Sequence, residues 1–202
     1  KAVALGAQLI EAEVIALHKA GNRITGVTLA SGEVLHSNLV LNAAGAWAPK
    51  LAQTIGVRLP IAPTKRQVTV FETNVHPATR LPALFLPSGL YVMHEDAGLF
   101  TCGKSFADDP IGYDDFRWER KIFEEAIWPE LVEFIPAFDR LKILRGWAGL
   151  YEVNTLDHNA ILGEWPEVPG LYLANGFSGH GFQQCHAVGR YIAELMLAQT
   201  PT

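Results

Sequence analysis

The sequence predicts a mixed fold of the α/β (α+β) class, and three observations carry that reading. Two short apolar segments, NLVLNAAGAW (Asn38 to Trp47) and GLYLANGF (Gly170 to Phe177), end in small residues and lead into helical patterns. Several other stretches alternate apolar and polar residues between turn signals, the mark of half-buried strands. Hydrophobic residues make up 49% and charged residues 18% of the 202 residues, a composition that packs a globular core.

In chain order, QLIEAEVIAL (Gln8 to Leu17) and ITGVTLASGEVLHS (Ile24 to Ser37) form an antiparallel meander turning at Gly21-Asn22 and Ser31-Gly32. NLVLNAAGAW follows as a short buried strand, and APKLAQTIG (Ala48 to Gly56) as a short helix with Pro49 in its first turn and Gly56 as its stop. Pro60 and Pro63 mark a crossing into a second domain. RQVTVFET (Arg66 to Thr73), Gly89 to His94 and Leu99 to Lys104 read as strands, the last two joined by the turn EDAG. Phe116 to Ile135 reads as the clearest helix, disturbed at Pro129. LKILRGWAGLYEV (Leu141 to Val153) is a long strand, GLYLANGF a buried one, and HAVGRYIAELMLA (His186 to Ala198) an amphipathic helix with Val188, Ile192, Leu195 and Met196 on one side.

The net charge of −5, without a run of Lys and Arg interleaved with aromatics, argues against a nucleic-acid surface. Cys102 and Cys185 are too few for a disulfide framework and read as free thiols of a reducing, cytoplasmic compartment. No apolar run reaches the ~20 residues of a membrane span. No His, Asp and Glu cluster has metal-ligand spacing, so no metal is expected. The chain starts at Lys1 in what reads as the middle of a sheet, and a longer parent protein is expected.

GLFTCGKS (Gly98 to Ser105) fits the phosphate-binding pattern G-x-x-x-x-G-K-[ST] letter for letter. That pattern needs a buried strand before the loop and a helix after it. Here HEDA precedes it, its interior is bulky and β-prone, and FADDPIG follows, with two aspartates that would repel phosphate. The stretch reads as a hairpin strand.

GFSGHGFQQ (Gly176 to Gln184) has the context that GLFTCGKS lacks, since it joins a buried strand to an amphipathic helix. Gly176, Gly179 and Gly181 let the backbone turn tightly and approach a ligand. The helix start offers free N–H groups and a positive dipole end to an anionic or electron-rich group. AAGAW (Ala43 to Trp47) ends its strand in the same way; Trp47 either covers a ligand or fills core.

Together, the segments Ile24 to Thr73 and Gly146 to Leu197, with GFSGHGF as the most specific motif, resemble the D-amino-acid oxidase and sarcosine oxidase superfamily. Within it they are most similar to the subgroup of FAD-dependent oxidoreductase domain-containing proteins. The resemblance implies a partial Rossmann-type FAD-binding domain (residues 1–57 and 146–202) interrupted by a mixed-sheet substrate domain (58–145). The dinucleotide fingerprint G-x-G-x-x-G is absent from this chain, so the half that would bind the ADP pyrophosphate is missing.

The same resemblance places Val14 at the adenine, and Ala43, Ala44, Gly45 and Trp47 in the loop beside the cofactor. It places Gly176, Gly179, His180, Gly181, Phe182 and Gln183 under the flavin pyrimidine. No Cys stands near Gly149-Leu150-Tyr151, where some relatives attach flavin covalently, so noncovalent FAD is implied, with its retention by so short a chain left open. Tyr151 stands where several relatives carry a carboxylate-binding Arg, Gln183 where sarcosine oxidase has Lys, and Thr101 near its oxygen-activating Lys. These three are the candidate catalytic positions, with Arg66 as a substitute cation and His94 as a further candidate to face flavin.

The implied function is oxidation of an amine or amino acid (N-substituted glycine or D-amino-acid type) by hydride transfer to flavin, with oxygen or a carrier as electron acceptor. The alternatives are a flavin-bearing assembly or scaffold protein with little turnover, or a cofactor-free remnant that forms homo-oligomers over its exposed sheet edges.

Overall fold

The computed structural model describes residues 1–197, and its backbone divides into two compact units. Unit 1 comprises Lys1–Ala62 and Glu152–Thr202, and unit 2 comprises Pro63–Tyr151.

Unit 1 opens with the meander β1 (Val14–Ala20), β2 (Arg23–Leu29) and β3 (Val34–His36), all antiparallel. The strand expected from Gln8 begins only at Val14. Val14 already pairs with Leu29, the last residue of β2, so residues 8–12 have no strand opposite them and lie exposed. A second sheet has the order β10-β11-β4. Its members are β4 (Val40–Asn42), β10 (Ile161–Glu164) and β11 (Leu171–Asn175); β4 runs parallel to β11, and β10 antiparallel to it. Strand β11 is buried almost throughout, as its apolar run predicts, whereas Leu41 of β4 is exposed. Strand β10 is not legible in ILGE, whose four residues lack a strand-length pattern.

Helix α1 (Ala48–Gln53) has Pro49 in its first turn and ends at Gln53, three residues before the expected stop, with a turn that closes at Gly56, where φ is +83°. Its Ala48 and Ala52 pack with Leu17, Ile24, Ile55, Val57, Val168 and Leu171 into the core of unit 1. The amide of Thr155 donates to Pro60 O at 2.8 Å, tying together the places where the chain leaves and re-enters this unit.

Unit 2 is built on a five-stranded sheet of order β6-β7-β8-β5-β9. The strands are β5 (Ile61–Thr73), β6 (Leu84–Phe85), β7 (Leu90–Asp96), β8 (Leu99–Lys104) and β9 (Leu141–Asn154). One face carries Phe71, Leu90, Val92, Phe100 and Cys102, and a helical segment covers it with Phe123, Ile127 and Leu131.

That segment consists of α2 (Arg120–Ile122), a π-turn (Phe123–Ile127) and α3 (Trp128–Phe134). The π-turn falls where Pro129 has no N–H to give to Glu125 and disturbs the turn before it. The helix starts at Arg120 rather than at Phe116 because the preceding residues are committed to β5. The Trp118 indole N–H donates to Thr69 Oγ1 at 3.2 Å, the Glu119 amide donates to Gln67 Oε1, and Lys65 Nζ bonds Asp115 and Glu119 at 2.9 and 3.1 Å. Burial works against the Lys65 charge, but these bonds outweigh it and raise its pKa.

GLFTCGKS is strand β8 with its leading turn, as its flanks predict. A Cβ on Gly98 would sit 2.2 Å from Thr73 O, and one on Gly103 within 2.7 Å of the Tyr91 hydroxyl, so close backbone packing requires both glycines. Lys104 is bound to Glu130 at 2.6 Å, and burial pushes the Cys102 thiol up to about 12. Each of these four pattern residues thus has a role in sheet or core.

Candidate functional site

The carboxyl ends of the parallel pair β4 and β11 form the centre of the candidate site in unit 1, the place where open α/β sheets hold ligands. Asn42, 3% exposed, organises the turn that follows β4. Its Nδ2 donates to Ala48 O at 3.1 Å and its Oδ1 accepts the Ala44 amide at 3.1 Å. Its main-chain oxygen accepts Asn175 Nδ2 at 2.9 Å, which joins the ends of the two strands. The Ala43–Trp47 stretch is thereby held as a 3-10 turn (Gly45–Trp47) leading into α1. Val14, Ala43, Ala44 and Trp47 line one groove of about 820 Å³ with Lys50 and Leu51; Gly45 lies within the turn, and Trp47 is 44% exposed.

After β11 the chain turns through Gly176 (φ +73°) and Gly179 (φ +98°), conformations an L side chain rarely adopts. The turn is fastened to the end of β9. Gly176 N–H donates to Glu152 Oε2 at 2.9 Å, and Asn154 N–H donates to Ser178 Oγ at 3.0 Å. Helix α4 (Gly181–Met196) starts at once, so Gly181, Phe182 and Gln183 form its first turn rather than a loop before it. His180 caps it without a side-chain bond, leaving the first N–H groups free of a side-chain cap. Gly179, His180, Phe182 and Gln183 are exposed, Phe182 to 91%. Ala43 and Gly181 share a second groove of about 320 Å³ with Glu152, Phe177 and Cys185.

Burial pushes the Glu152 carboxyl up, and bonds from the Gly176 and Phe177 amides only partly offset this. Because the folded value lies above the unfolded one, stability is full at low pH and is lost as pH rises from the ordinary value of 4.5 through the raised value. Glu152→Gln keeps an acceptor for Gly176 but has no charge to bury. We expect its unfolding free energy to lack this fall, a difference under about 1 kcal/mol because the carboxyl is partly solvated. Urea titrations of both proteins across acidic to neutral pH measure it, and parallel pH profiles would refute the assignment.

In unit 2, Thr101 lies on the sheet face opposite the helices, in a hollow of about 460 Å³ lined also by Val70, Tyr91, Met93, Arg145 and Trp147. Tyr151 lies at the unit's end, with the Arg66 guanidinium 5.5 Å from its ring centre. Arg66 is not a free cation, since it is paired with Asp109. His94 is on the helix-covered side: its ring stacks on Phe100 at 4.9 Å, Nδ1 accepts the Leu81 amide at 3.1 Å and Nε2 donates to Ala97 O at 2.9 Å. Both nitrogens are used by the fold.

Sequence reasoning passed over Asn42, Glu152, Asn175 and Arg145. The signal for the first three is a polar residue within or at the end of an otherwise apolar strand, which needs a buried partner.

A family model described as FAD dependent oxidoreductase (DAO) matches residues 1–195. The chain is similar to FAD-dependent oxidoreductase domain-containing protein 1 of Xenopus laevis, 38% identical over 194 residues that cover 87% of this chain and 39% of that protein. It is also similar to the Bos taurus protein of that name, 37% identical over 79% of this chain and 35% of the relative. The chain thus spans little more than a third of the length of these relatives. Among solved structures, L-proline dehydrogenase from P. horikoshii superposes with a TM-score of 0.85 at 31% identity, covering 98% of this chain and 53% of that one. Glycine oxidase from Geobacillus kaustophilus shares the fold, with a TM-score of 0.83 at 22% identity over 98% of this chain and 52% of the other.

Proposed function

Because the chain belongs to the DAO family of FAD-dependent oxidoreductases, we propose that it supplies the flavin-holding and substrate-facing parts of an amine or amino-acid oxidoreductase. The substrate class is an N-substituted glycine or a D-amino acid, with oxygen or a carrier as electron acceptor. The observation that carries this reading is the pair of small-residue turns at the carboxyl ends of β4 and β11, with Ala43 and Gly181 lining one groove.

The residues present fit FAD. The Asn175 Oδ1 atom is fully buried and lacks a donor among the described residues, and the α4 N-terminus has no side-chain cap. Val14, Ala43, Ala44, Gly45 and Trp47 would hold the cofactor on one side, and Gly176, Gly179, His180, Gly181, Phe182 and Gln183 on the other. Bound there, FAD supplies the acceptor for a hydride from the carbon beside the substrate nitrogen.

The chain's own part is to position and to stabilise. The first free N–H groups and positive end of the 16-residue helix α4 favour negative charge at its N-terminus. Glu152 and Ser178 keep Gly176 to His180 in place, so these groups need no rearrangement when charge develops. In unit 2, Thr101 and Tyr151 carry hydroxyls that would serve a substrate there; in unit 1, Gln183 sets an uncharged amide in the first turn of α4.

The test is the visible spectrum of the full-length protein, followed under anaerobic conditions as N-methylglycine, glycine, L-proline and D-alanine are added in turn. Bleaching of the oxidised flavin by one of them is the expected result. A flavin that binds but is bleached by none favours the scaffold reading, in line with uncharged Tyr151, Gln183 and Thr101. A protein that takes up no flavin overturns the proposal.

A further inference from the structure

We propose that the outer end of the unit 2 sheet is a binding site for a soluble phosphate monoester with an apolar body. Arg140 and Lys142 take the phosphate, and Phe123, Trp128, Leu141 and Ile143 line the slot for the body. The proposal goes beyond the oxidoreductase reading and does not depend on it.

Two hollows of about 610 and 350 Å³ share Leu141 and Lys142, the first residues of β9. The larger is lined by Glu72 to Asn74 at the end of β5, by His76, and by Arg140 to Lys142. Along β5 ten residues separate Pro63 from Thr73, and along β9 nine separate Lys142 from Tyr151. The hollows therefore lie about 30 Å from the end at which the chain enters and leaves the unit, and from Tyr151.

The two cations here are unlike the rest. The other lysines and arginines of unit 2 pair with carboxylates, save Arg145, whose guanidinium lies 5.7 Å from the Trp147 ring centre. Arg140 and Lys142 make no ion pair or side-chain hydrogen bond among the described residues. Arg140 is extended (φ −121°, ψ +98°) directly before β9, so it and Lys142 stand on one side of the chain, about 6.6 Å apart at Cα. Leu141, between them, packs against the core of the unit with Ile143.

A guanidinium fork and an ammonium at that spacing can hold one tetrahedral anion from two sides. The Asn74 amide and His76 imidazole line the same hollow. Together these groups exceed what the two oxygens of a carboxylate can engage, whereas a phosphate monoester presents three oxygens and nearly two charges. Glu72 lines the hollow as well, without an ion pair among the described residues. One dianion held by two cations tolerates it, but a further anionic group is repelled, which sets polyphosphates aside.

The smaller hollow supplies the apolar part. Phe123 is fixed in the aromatic cluster, 6.2 Å from Phe71, and the Trp128 indole N–H donates to Phe138 O at 2.9 Å. Both rings are thus held in place beside Leu141 and Ile143. Arg120 lines this hollow too, but it is already paired with Glu124 at 2.7 Å. A space of about 350 Å³ takes a ring or a short chain. Because Lys142 borders both hollows, a phosphate held there places its apolar substituent at the slot.

The test is calorimetric titration of the full-length protein at about pH 8, where a phosphate monoester is a dianion. Hexyl phosphate is expected to bind at least about tenfold more tightly than ethyl phosphate, since two further buried methylenes suffice for that factor. Hexanol lacks the anion, and pyrophosphate carries excess charge beside Glu72; each is expected to bind at least about tenfold more weakly than hexyl phosphate. The double variant Arg140→Gln/Lys142→Gln abolishes hexyl phosphate binding, and Glu72→Gln raises the affinity for pyrophosphate. All three positions are exposed, so both variants are expected to keep the wild-type melting temperature.

Equal affinity for ethyl and hexyl phosphate, binding that survives in the double variant, or no binding of hexyl phosphate would each overturn the site. Phosphatidylcholine vesicles with and without phosphatidic acid form the last arm. Capture by phosphatidic acid without binding of hexyl phosphate would make the groove a lipid surface and overturn the soluble ligand. None of these measurements involves flavin reduction, so the site can fail while the oxidoreductase reading stands, and the reverse.

Discussion

Phe71→Ala is expected to destabilise unit 2 by about 3–5 kcal/mol, the usual cost of emptying a fully buried aromatic site. Phe71 has no exposed surface and sits among three other rings. It stacks on Phe100 at 5.7 Å, meets Phe138 edge-on at 5.4 Å and lies 6.2 Å from Phe123. Three elements of unit 2 therefore converge on one side chain: β8 through Phe100, the π-turn through Phe123, and the short 3-10 turn Pro136–Asp139 through Phe138. Removing the ring leaves a cavity that none of them can fill alone. Phe71→Leu keeps most of the volume and is expected to cost about 1.5 kcal/mol or less. Urea unfolding of both variants measures the difference. An alanine variant within about 1 kcal/mol of wild type would show that this cluster is not the centre of the unit.

Asn42→Ala is expected to have the largest combined effect on stability and cofactor affinity. The substitution leaves the Ala44 amide and the Ala48 oxygen without their partner inside the protein, at about 1–3 kcal/mol for each buried group. The same two bonds shape the turn that lines the 820 Å³ groove, so the turn loses its fixed form along with the stability. Flavin affinity of the full-length protein is expected to fall at least about tenfold, since a site that must order on binding is weakened by that ordering. Asn42→Asp separates the two functions of the side chain, as it can accept from Ala44 but has no donor for Ala48. Chemical unfolding and flavin titration on both variants check the prediction. Unchanged flavin affinity in an Asn42→Ala protein that is destabilised as expected would mean that the turn does not touch the cofactor.

Much of this architecture is legible in single segments, and the exceptions have physical causes. The strand GLYLANGF and the helix after it are readable because one local pattern decides each: continuous apolar burial, then a 3.6-residue stripe ending on Ile192 and Met196. The hairpin reading of GLFTCGKS succeeds because its flanks, HEDA and FADDPIG, are wrong for a phosphate loop. The start of β1 and the start of the helix near Arg120 are not readable, since both depend on what lies opposite in space. The partner of residues 8–12 runs out at Leu29, and Trp118 and Glu119 are taken by Thr69 and Gln67, some fifty residues earlier in the chain. In the candidate site, glycines with positive φ announce themselves, but Glu152 does not. Its value comes from the amide of Gly176, which the sequence places 24 residues away.

Unit 2 is an insertion whose two ends meet. On its own side, Arg66 near its start lies against Tyr151 at its finish; on the host side, Thr155 bonds Pro60. For an insert of this kind the closure entropy grows only with the logarithm of its length, so the host fold is nearly indifferent to what is inserted. Residues 63–151 therefore form a unit that heredity can enlarge, shrink or replace as one block while the other unit keeps its core. Divergence in length within such a lineage should concentrate in this block, because a change there leaves the closure of the host unit almost untouched.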